Sequence, residues 1–271
     1  RRPHRSCLKS RWPSIGKCED STGMNLLLTL AYLFFIGSVL GWCLELVFRK
    51  FFSAANPEHK WINPGFCVGP YLPIYGFGLC VLYLLAWLGD IHGFGSTDSG
   101  RFLLFAAMAV SMTLIEYLAG ILLLKWMKLR LWDYSSCWGN VQGLICPLFS
   151  LIWAMMGAAY YYFVHPRVLD ALSWLANNLA FSFVLGFYFG VFTIDVAYSG
   201  HLVARLKRYA EENEVVIRYE NLKSQIRRVQ DRLRIKPNFF FPIRFHADWT
   251  LRDYLKDAQG VLENRRRKKT E

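Results

Sequence analysis

Residues 25–48 read NLLLTLAYLFFIGSVLGWCLELVF, and the only charged side chain among them is Glu45, near the end. A helix rises about 1.5 Å per residue and a bilayer's hydrocarbon core is roughly 30 Å thick, so a run of about 20 such residues crosses it. Four further stretches share this character, at 69–88, 102–124, 143–164 and 178–198. Lipid offers backbone N–H and C=O groups no partner, which forces such stretches into helices. The sequence therefore predicts an all-α protein: a five-span transmembrane bundle over residues 24–198, followed by a cytoplasmic helical tail over 199–271.

The charges between the spans orient that bundle. Arg49, Lys50 and Lys60 follow the first span, Lys125, Lys128 and Arg130 follow the third, and eighteen Lys and Arg lie in 199–271. The loops after the second and fourth spans carry only Arg101 and Arg167. Cationic loops stay in the cytoplasm, so the first and third loops and the tail are expected inside and the start of the first helix outside. Residues 1–23 do not fit this, because Arg1, Arg2, Arg5, Lys9, Arg11 and Lys17 would sit outside. They lack the apolar core and cleavage pattern of a secretory signal. The expectation is that Met24 is the true start and that residues 1–23 are upstream read-through or a disordered leader. The tail alone carries 18 basic against 10 acidic residues, or +8 of the chain's +12. Such a tail suits anionic lipid headgroups. With no nucleic-acid recognition fold in the sequence, the bilayer is the expected partner and nucleic acid is not.

Beyond Met24 the cysteines are Cys43, Cys67, Cys80, Cys137 and Cys146, an odd number without CxxC spacing, and His92, His165 and His201 are scattered. They read as small buried side chains, and no metal or cofactor is expected. Small residues recur at packing intervals: Gly37 and Gly41 in the first span, Ser150, Ala154, Gly157 and Ala158 in the fourth, Gly186 and Gly190 in the fifth. That spacing lets helices approach closely and implies a compact bundle or a dimer seam.

Carboxylates inside spans are costly and turn toward protein or water. Glu45 lies four residues before Arg49, at the spacing of a helical ion pair. Glu116 lies between Thr113 and Gly120 on one helical face and is the deepest of the three; Asp195 is close enough to the inner end of its span to reach the interface. Residues 63–76, NPGFCVGPYLPIYG, hold three prolines, three glycines and two tyrosines. Proline is tolerated in a first helical turn, so Pro70 and Pro73 predict a helix start near Gly69, with Gly65 and Gly69 giving irregular backbone before it. A helix N-terminus of this kind attracts anions. Under the expected topology Glu45, Arg49, Tyr71, Tyr75, Glu116, Tyr117, Asp133 and Tyr134 gather toward the cytoplasmic side as a candidate polar recess. No catalytic constellation is visible, and no catalytic residue is assigned.

The motifs Gly41-Trp42-Cys43-Leu44-Glu45, Asn63-Pro64-Gly65-Phe66, residues 69–76, Glu116-Tyr117, Trp132-Asp133-Tyr134-Ser135 and Gly143-Leu144-Ile145-Cys146-Pro147-Leu148 occur in order. On these the chain resembles the bacterial type IV, or CmpB-like, ABC-transporter permeases, over about residues 24–197. Where some members carry a basic residue in the last motif, this chain has Leu144. The resemblance implies transport and a bacterial inner-membrane location. The chain has no GxxxxGK[ST] phosphate loop beyond Met24, so an ATPase would be a separate subunit, and a five-span permease would be expected to form a homodimer. Two other functions stay open: a membrane-embedded enzyme or lipid-binding protein at the cytoplasmic leaflet, and a scaffold or regulator acting through its tail.

In the tail, Val215, Tyr219, Leu222, Ile226, Val229 and Leu233 follow a heptad spacing. Pro237 interrupts, Phe239, Phe240 and Phe241 form an aromatic cluster, and a second amphipathic helix from Asp248 presents Leu251, Leu255, Ala258 and Leu262. The pattern fits either a dimeric coiled coil or an intramolecular hairpin.

Overall fold

The computed structural model describes residues 26–53, 56–212 and 216–232. The read-through reading of residues 1–23, the aromatic cluster and the helix from Asp248 lie outside the described residues. Five helical segments are long and apolar enough to cross a membrane: Leu26–Phe51 (α1), Pro73–Ile91 (α2), Asp98–Met127 (α3), Pro147–Leu175 and Ser182–His201. The fourth comprises α4, Pro147–Ala159, a π-helical turn, Tyr160–Val164, and most of α5, His165–Asn177. The fifth is the first part of α6, Ser182–Glu212, and a shorter helix α7, Tyr219–Arg232, follows. Strands β1, Leu129–Arg130, and β2, Ile217–Arg218, pair in parallel.

Local chemistry sets most boundaries. Thr97 caps α3 by accepting from the Gly100 N–H at 3.1 Å. Lys128 ends it in the left-handed region, with its N–H on the Leu123 carbonyl. Helices α2 and α4 both begin on proline. Two expected boundaries move. The second span starts at Pro73 rather than near Gly69, because the polar groups of residues 63–69 are bonded elsewhere. The fourth span starts at Pro147 rather than 143 and runs past Val164. There the π turn lies just ahead of Pro166, where the missing N–H would otherwise break the helical ladder.

The glycine spacings behave differently in different spans. A Cβ on Gly37 would lie 2.9 Å from Leu79 Cβ and 3.0 Å from the Tyr75 carbonyl, and Gly41 sits against the Tyr75 ring, so α1 and α2 touch through these glycines. Gly157 packs on Met108, and Thr113 donates to Ser150 at 3.1 Å between α3 and α4. A core of Leu33, Leu82, Ala86, Leu104, Met108 and Met112 fills the bundle. Gly186 and Gly190 have open space beside them, so the packing expected of the fifth span is not made within the described residues. Phe183, Phe187 and Ile194 on the same helix are exposed, as a lipid-facing surface requires.

The end of α1, the start of α2, the end of α3, the start of α4 and the far part of α6 meet at one end of the bundle, and β2 and α7 lie across them. Tyr219 and Leu222, the described part of the heptad seam, are buried with Leu129, Val203 and Ala210. The seam thus begins by packing on the protein's own bundle, which neither the coiled-coil nor the hairpin reading anticipates. Val215 and Leu233, and the side chains of Ile226 and Val229, lie outside the described residues.

Candidate functional site

The backbone before α2 is organised by two polar side chains, buried Asn63 and half-buried Asp195. Asn63 is 2% exposed. Its amide accepts from Trp42 Nε1 at 3.0 Å and Gly65 N at 3.2 Å, and donates to the carbonyls of Cys67 and Val68 at 3.2 and 3.0 Å. Asp195 from α6 accepts from the N–H groups of Val68 at 3.0 Å and Gly69 at 2.7 Å, from the Tyr71 hydroxyl, and from Ser199 Oγ at 2.8 Å. The anion that this segment attracts is therefore the protein's own carboxylate. Asp195 does not simply reach the interface; it ties the fifth span to the second.

On the other face of the segment, Glu45 accepts from Arg49 Nε at 2.8 Å and from the Tyr75 hydroxyl at 2.9 Å. The expected helical ion pair is present, and Tyr75 connects it to α2. Tyr75 meets Trp153 of α4 edge to face, with ring centroids 6.4 Å apart. Trp153 Nε1 donates to one oxygen of Glu116 at 3.0 Å, and the Tyr134 hydroxyl donates to the other at 2.9 Å. Glu116 is 5% exposed. Arg49, Glu45, Tyr75, Trp153, Glu116 and Tyr134 thus form one continuous wall.

The loop after β1 completes it. Tyr134 stacks on Phe149, centroids 4.3 Å apart, and its N–H donates to the Gly143 carbonyl at 2.9 Å. Trp132 Nε1 donates to the Leu144 carbonyl at 2.9 Å. Gly143 has φ +68°, and a Cβ there would come within 2.7 Å of Arg130 Nη1 and 3.1 Å of Asp133 Oδ1; both its conformation and its neighbours require glycine. Arg130 bonds Asp133 at 2.7 Å, Ser135 Oγ at 3.1 Å and the Gln142 carbonyl at 3.2 Å. Burial works against ionised Asp133, but the Ser135 hydroxyl and N–H and the Arg130 guanidinium outweigh it and hold this carboxyl below its ordinary value. Burial, reinforced by Glu116, pushes the Tyr134 hydroxyl up, so it stays a donor.

These side chains enclose a cavity of about 1040 Å³. Its apolar walls include Leu44, Phe48, Met112, Ile115, Ile152 and Met156, and its charged lining is Glu45, Arg49, Glu116, Arg130, Asp133, Arg218 and Glu220. Six of these seven pair among themselves: Arg49 with Glu45 at 2.8 Å and Glu220 at 3.5 Å, and Asp133 with Arg130 at 2.7 Å and Arg218 at 2.9 Å. Among the described residues, no cation pairs with Glu116.

Of the residues expected in the recess, Glu45, Arg49, Tyr75, Glu116, Asp133 and Tyr134 line this cavity, and Tyr71 and Tyr117 do not. Tyr71 is buried on the far side of its segment, with Tyr188, Phe192 and Asp195, because its hydroxyl is drawn to that carboxylate. Half-buried Tyr117 follows Glu116 directly on α3, so it faces another direction. Gly65 and Gly69 shape the backbone before α2, Pro73 starts the helix, and Pro70 is exposed. Sequence reasoning missed Trp153, Arg130, Arg218 and Glu220.

The tail lines one side of the mouth. Glu220 accepts from Ser53 and faces Arg49. Lys223 is 4% exposed and donates to the carbonyl of Asn63 at 2.7 Å and to that of Gly65. Burial, with Arg49 nearby, pushes its ammonium down to about 7.

A family model matches the amino-acid sequence over residues 32–200. The chain belongs to the family described as Putative ABC-transporter type IV. No curated protein and no solved structure matches it. In this type IV chain the matched region supplies the five spans and almost the whole cavity lining. Arg218, Glu220 and Asn221, which α7 and β2 bring to the mouth, lie outside it.

Proposed function

We propose that this protein is the permease component of an ABC-type transporter and that the cavity between α1, α2, α3 and α4 is its substrate recess, open toward the cytoplasm. The observation that carries this is Glu116: a buried carboxylate inside a span, held at both oxygens by neutral donors, beside open space. A carboxylate kept only for packing would be closed over or paired. The cytoplasmic orientation rests on the Lys and Arg bias, since Arg49, Lys60, Lys128 and Arg130 all belong to the cavity end. The loops after the first and third spans, with α7 between them, offer the surface for a separate ATPase subunit.

The test is reconstitution. Purification in mild detergent should yield an ATP-hydrolysing subunit, and the pair in proteoliposomes should couple hydrolysis to uptake. A chain that carries no ATPase, and that alone turns over a lipid-like substrate, would favour the enzyme reading instead. Thiol labelling should find a cysteine at Ser96 accessible from outside and one at Ser224 protected; the reverse would overturn the orientation.

A further inference from the structure

The charge pattern of the recess selects among ligands, given its reading as a substrate site. Each arginine already has a carboxylate partner in the lining: Arg49 bridges Glu45 and Glu220, and Arg130 and Arg218 share Asp133. The described residues hold no cluster of three or more His, Cys, Asp or Glu side chains, so a metal ion would find too few ligands. What remains unneutralised is Glu116, and its surroundings are aromatic. Trp153 and Tyr134 bond its two oxygens, Tyr75 lies edge to face with Trp153, and Phe149 stacks on Tyr134. Hydroxyl and indole donors fix the carboxylate without neutralising it, and the ring faces beside it attract cations of low hydration. A small hydrated ion would lose its water here for one carboxylate and apolar walls, whereas an alkylated ammonium gives up little.

We propose that the recess binds an organic cation, with an ammonium-type head at Glu116 among Tyr75, Tyr134 and Trp153 and an apolar body along Met112, Ile115, Ile152 and Met156. The rim supports an amphiphile: Leu44, Phe48 and Met156 of α1 and α4 line the cavity and are exposed, so its edge on these two spans is apolar. A molecule with an apolar tail can reach the recess from that side without crossing the charged mouth.

The test uses the full chain in nanodiscs of zwitterionic lipid and radiolabelled tetraphenylphosphonium as the probe. Saturable binding above empty discs is expected, displaced by hexyltrimethylammonium but not by hexanol or hexyl sulfate. Glu116→Gln, which keeps a hydrogen-bonding group in place, should weaken binding about tenfold, the equivalent of one modest ionic contact. Trp153→Phe should weaken it about threefold through a poorer ring face. Binding no better than to empty discs, equal displacement by the neutral or anionic competitor, or an unchanged Glu116→Gln protein would overturn the proposal. The displacement order of the unmodified protein decides the matter even if that variant does not fold. Binding needs no ATPase, so the two readings fail separately. Cation binding without ATP-driven transport would remove the permease role and keep the site. ATP-driven transport of some other substance without cation binding would do the opposite.

Discussion

At one end of the bundle Glu116 borders a cavity of about 1040 Å³; at the other, His165 is 1% exposed with a polar neighbour at each ring nitrogen. His165 Nδ1 meets the Tyr160 hydroxyl at 3.2 Å, and its Nε2 lies 3.5 Å from Asp90 Oδ2. Tyr161 donates to the other oxygen of Asp90 at 3.3 Å and stacks parallel to the imidazole. Both clusters place a carboxylate beside aromatic hydroxyls within membrane spans. None of the His165 cluster lines the cavity, and its contacts tie α2, the π turn and α5 together. The contrast separates two uses of buried polarity: a closed network fixes the packing of helices, and one open on a single side keeps capacity for something else.

The largest expected effect tests the closed end. His165→Ala removes a fully buried ring, leaves Tyr160 without its partner and takes one of the two partners of Asp90, so it should lower stability by about 3 kcal/mol. Thermal unfolding in detergent measures this. A loss below about 1 kcal/mol would mean that the cluster is not structural and would collapse the comparison.

Next comes Glu116. From the sequence alone, leucine looks better suited to that depth than a carboxylate. The structure reverses this, because Glu116→Leu would leave the Tyr134 hydroxyl and the Trp153 N–H without their acceptor. A loss of about 1–3 kcal/mol is expected for Leu, against less than about 1 kcal/mol for Gln. Glu116→Gln should nevertheless abolish most coupled transport. A protein fully active with either substitution would place Glu116 in the same class as His165, and one equally stable with leucine would show that Tyr134 and Trp153 do not need their acceptor.

The spans were legible because about twenty consecutive apolar residues have few other fates. The shared recess of Glu45 and Glu116 was legible because the alternation of spans puts the end of α1 and the end of α3 on one side. What escaped reading has weak local signals. Strands β1 and β2 are two residues long and carry no periodicity. Asp195 finds Val68 and Gly69 across more than a hundred positions, and that bond pulls Tyr71 away from the recess. The seam residues Tyr219 and Leu222 have the spacing of a coiled coil because any helix burying one face shows it, whichever surface covers that face. Asp90 and His165 lie on different spans and share no local sequence pattern.

A third, smaller effect concerns the strap across the mouth. Docked, Lys223 has its pKa near 7; free, it has the ordinary 10.5. Between these values the undocked tail holds a proton that the docked tail lacks, so docking releases a proton and strengthens as pH rises from about 7 toward 10.5. Below 7 both forms are protonated and the dependence flattens. The charges of Arg49 and Glu220 beside it set the background. A nitroxide at position 221 should become less mobile from pH 7 to 9, and Lys223→Met should remove the slope. A slope retained by Lys223→Met would assign it to another group and loosen the link between tail and recess.

The smallest effect should come from the rim. Arg218 reaches Asp133 at 2.9 Å, but its side chain is 60% exposed, and Asp133 keeps Arg130 at 2.7 Å when Arg218 is lost. A solvent-screened pair with a second cation behind it contributes little, so Arg218→Ala should cost less than about 1 kcal/mol. Arg130 differs in burial and in partners: its guanidinium is 18% exposed and also holds Ser135 and the Gln142 carbonyl, at the turn that Gly143 makes possible. Arg130→Ala should therefore cost more, about 1–2 kcal/mol, by taking from half-buried Asp133 the better-buried of its two cations and from the turn its tie to the Gln142 carbonyl. It should also disturb Tyr134, which hangs from the same turn, and through it Glu116. Comparing the two variants by thermal unfolding and by tetraphenylphosphonium binding separates the mouth from the wall. Binding lost in Arg130→Ala and kept in Arg218→Ala fits a cation seated at the deep end. The reverse order would seat the ligand at the mouth, against α7.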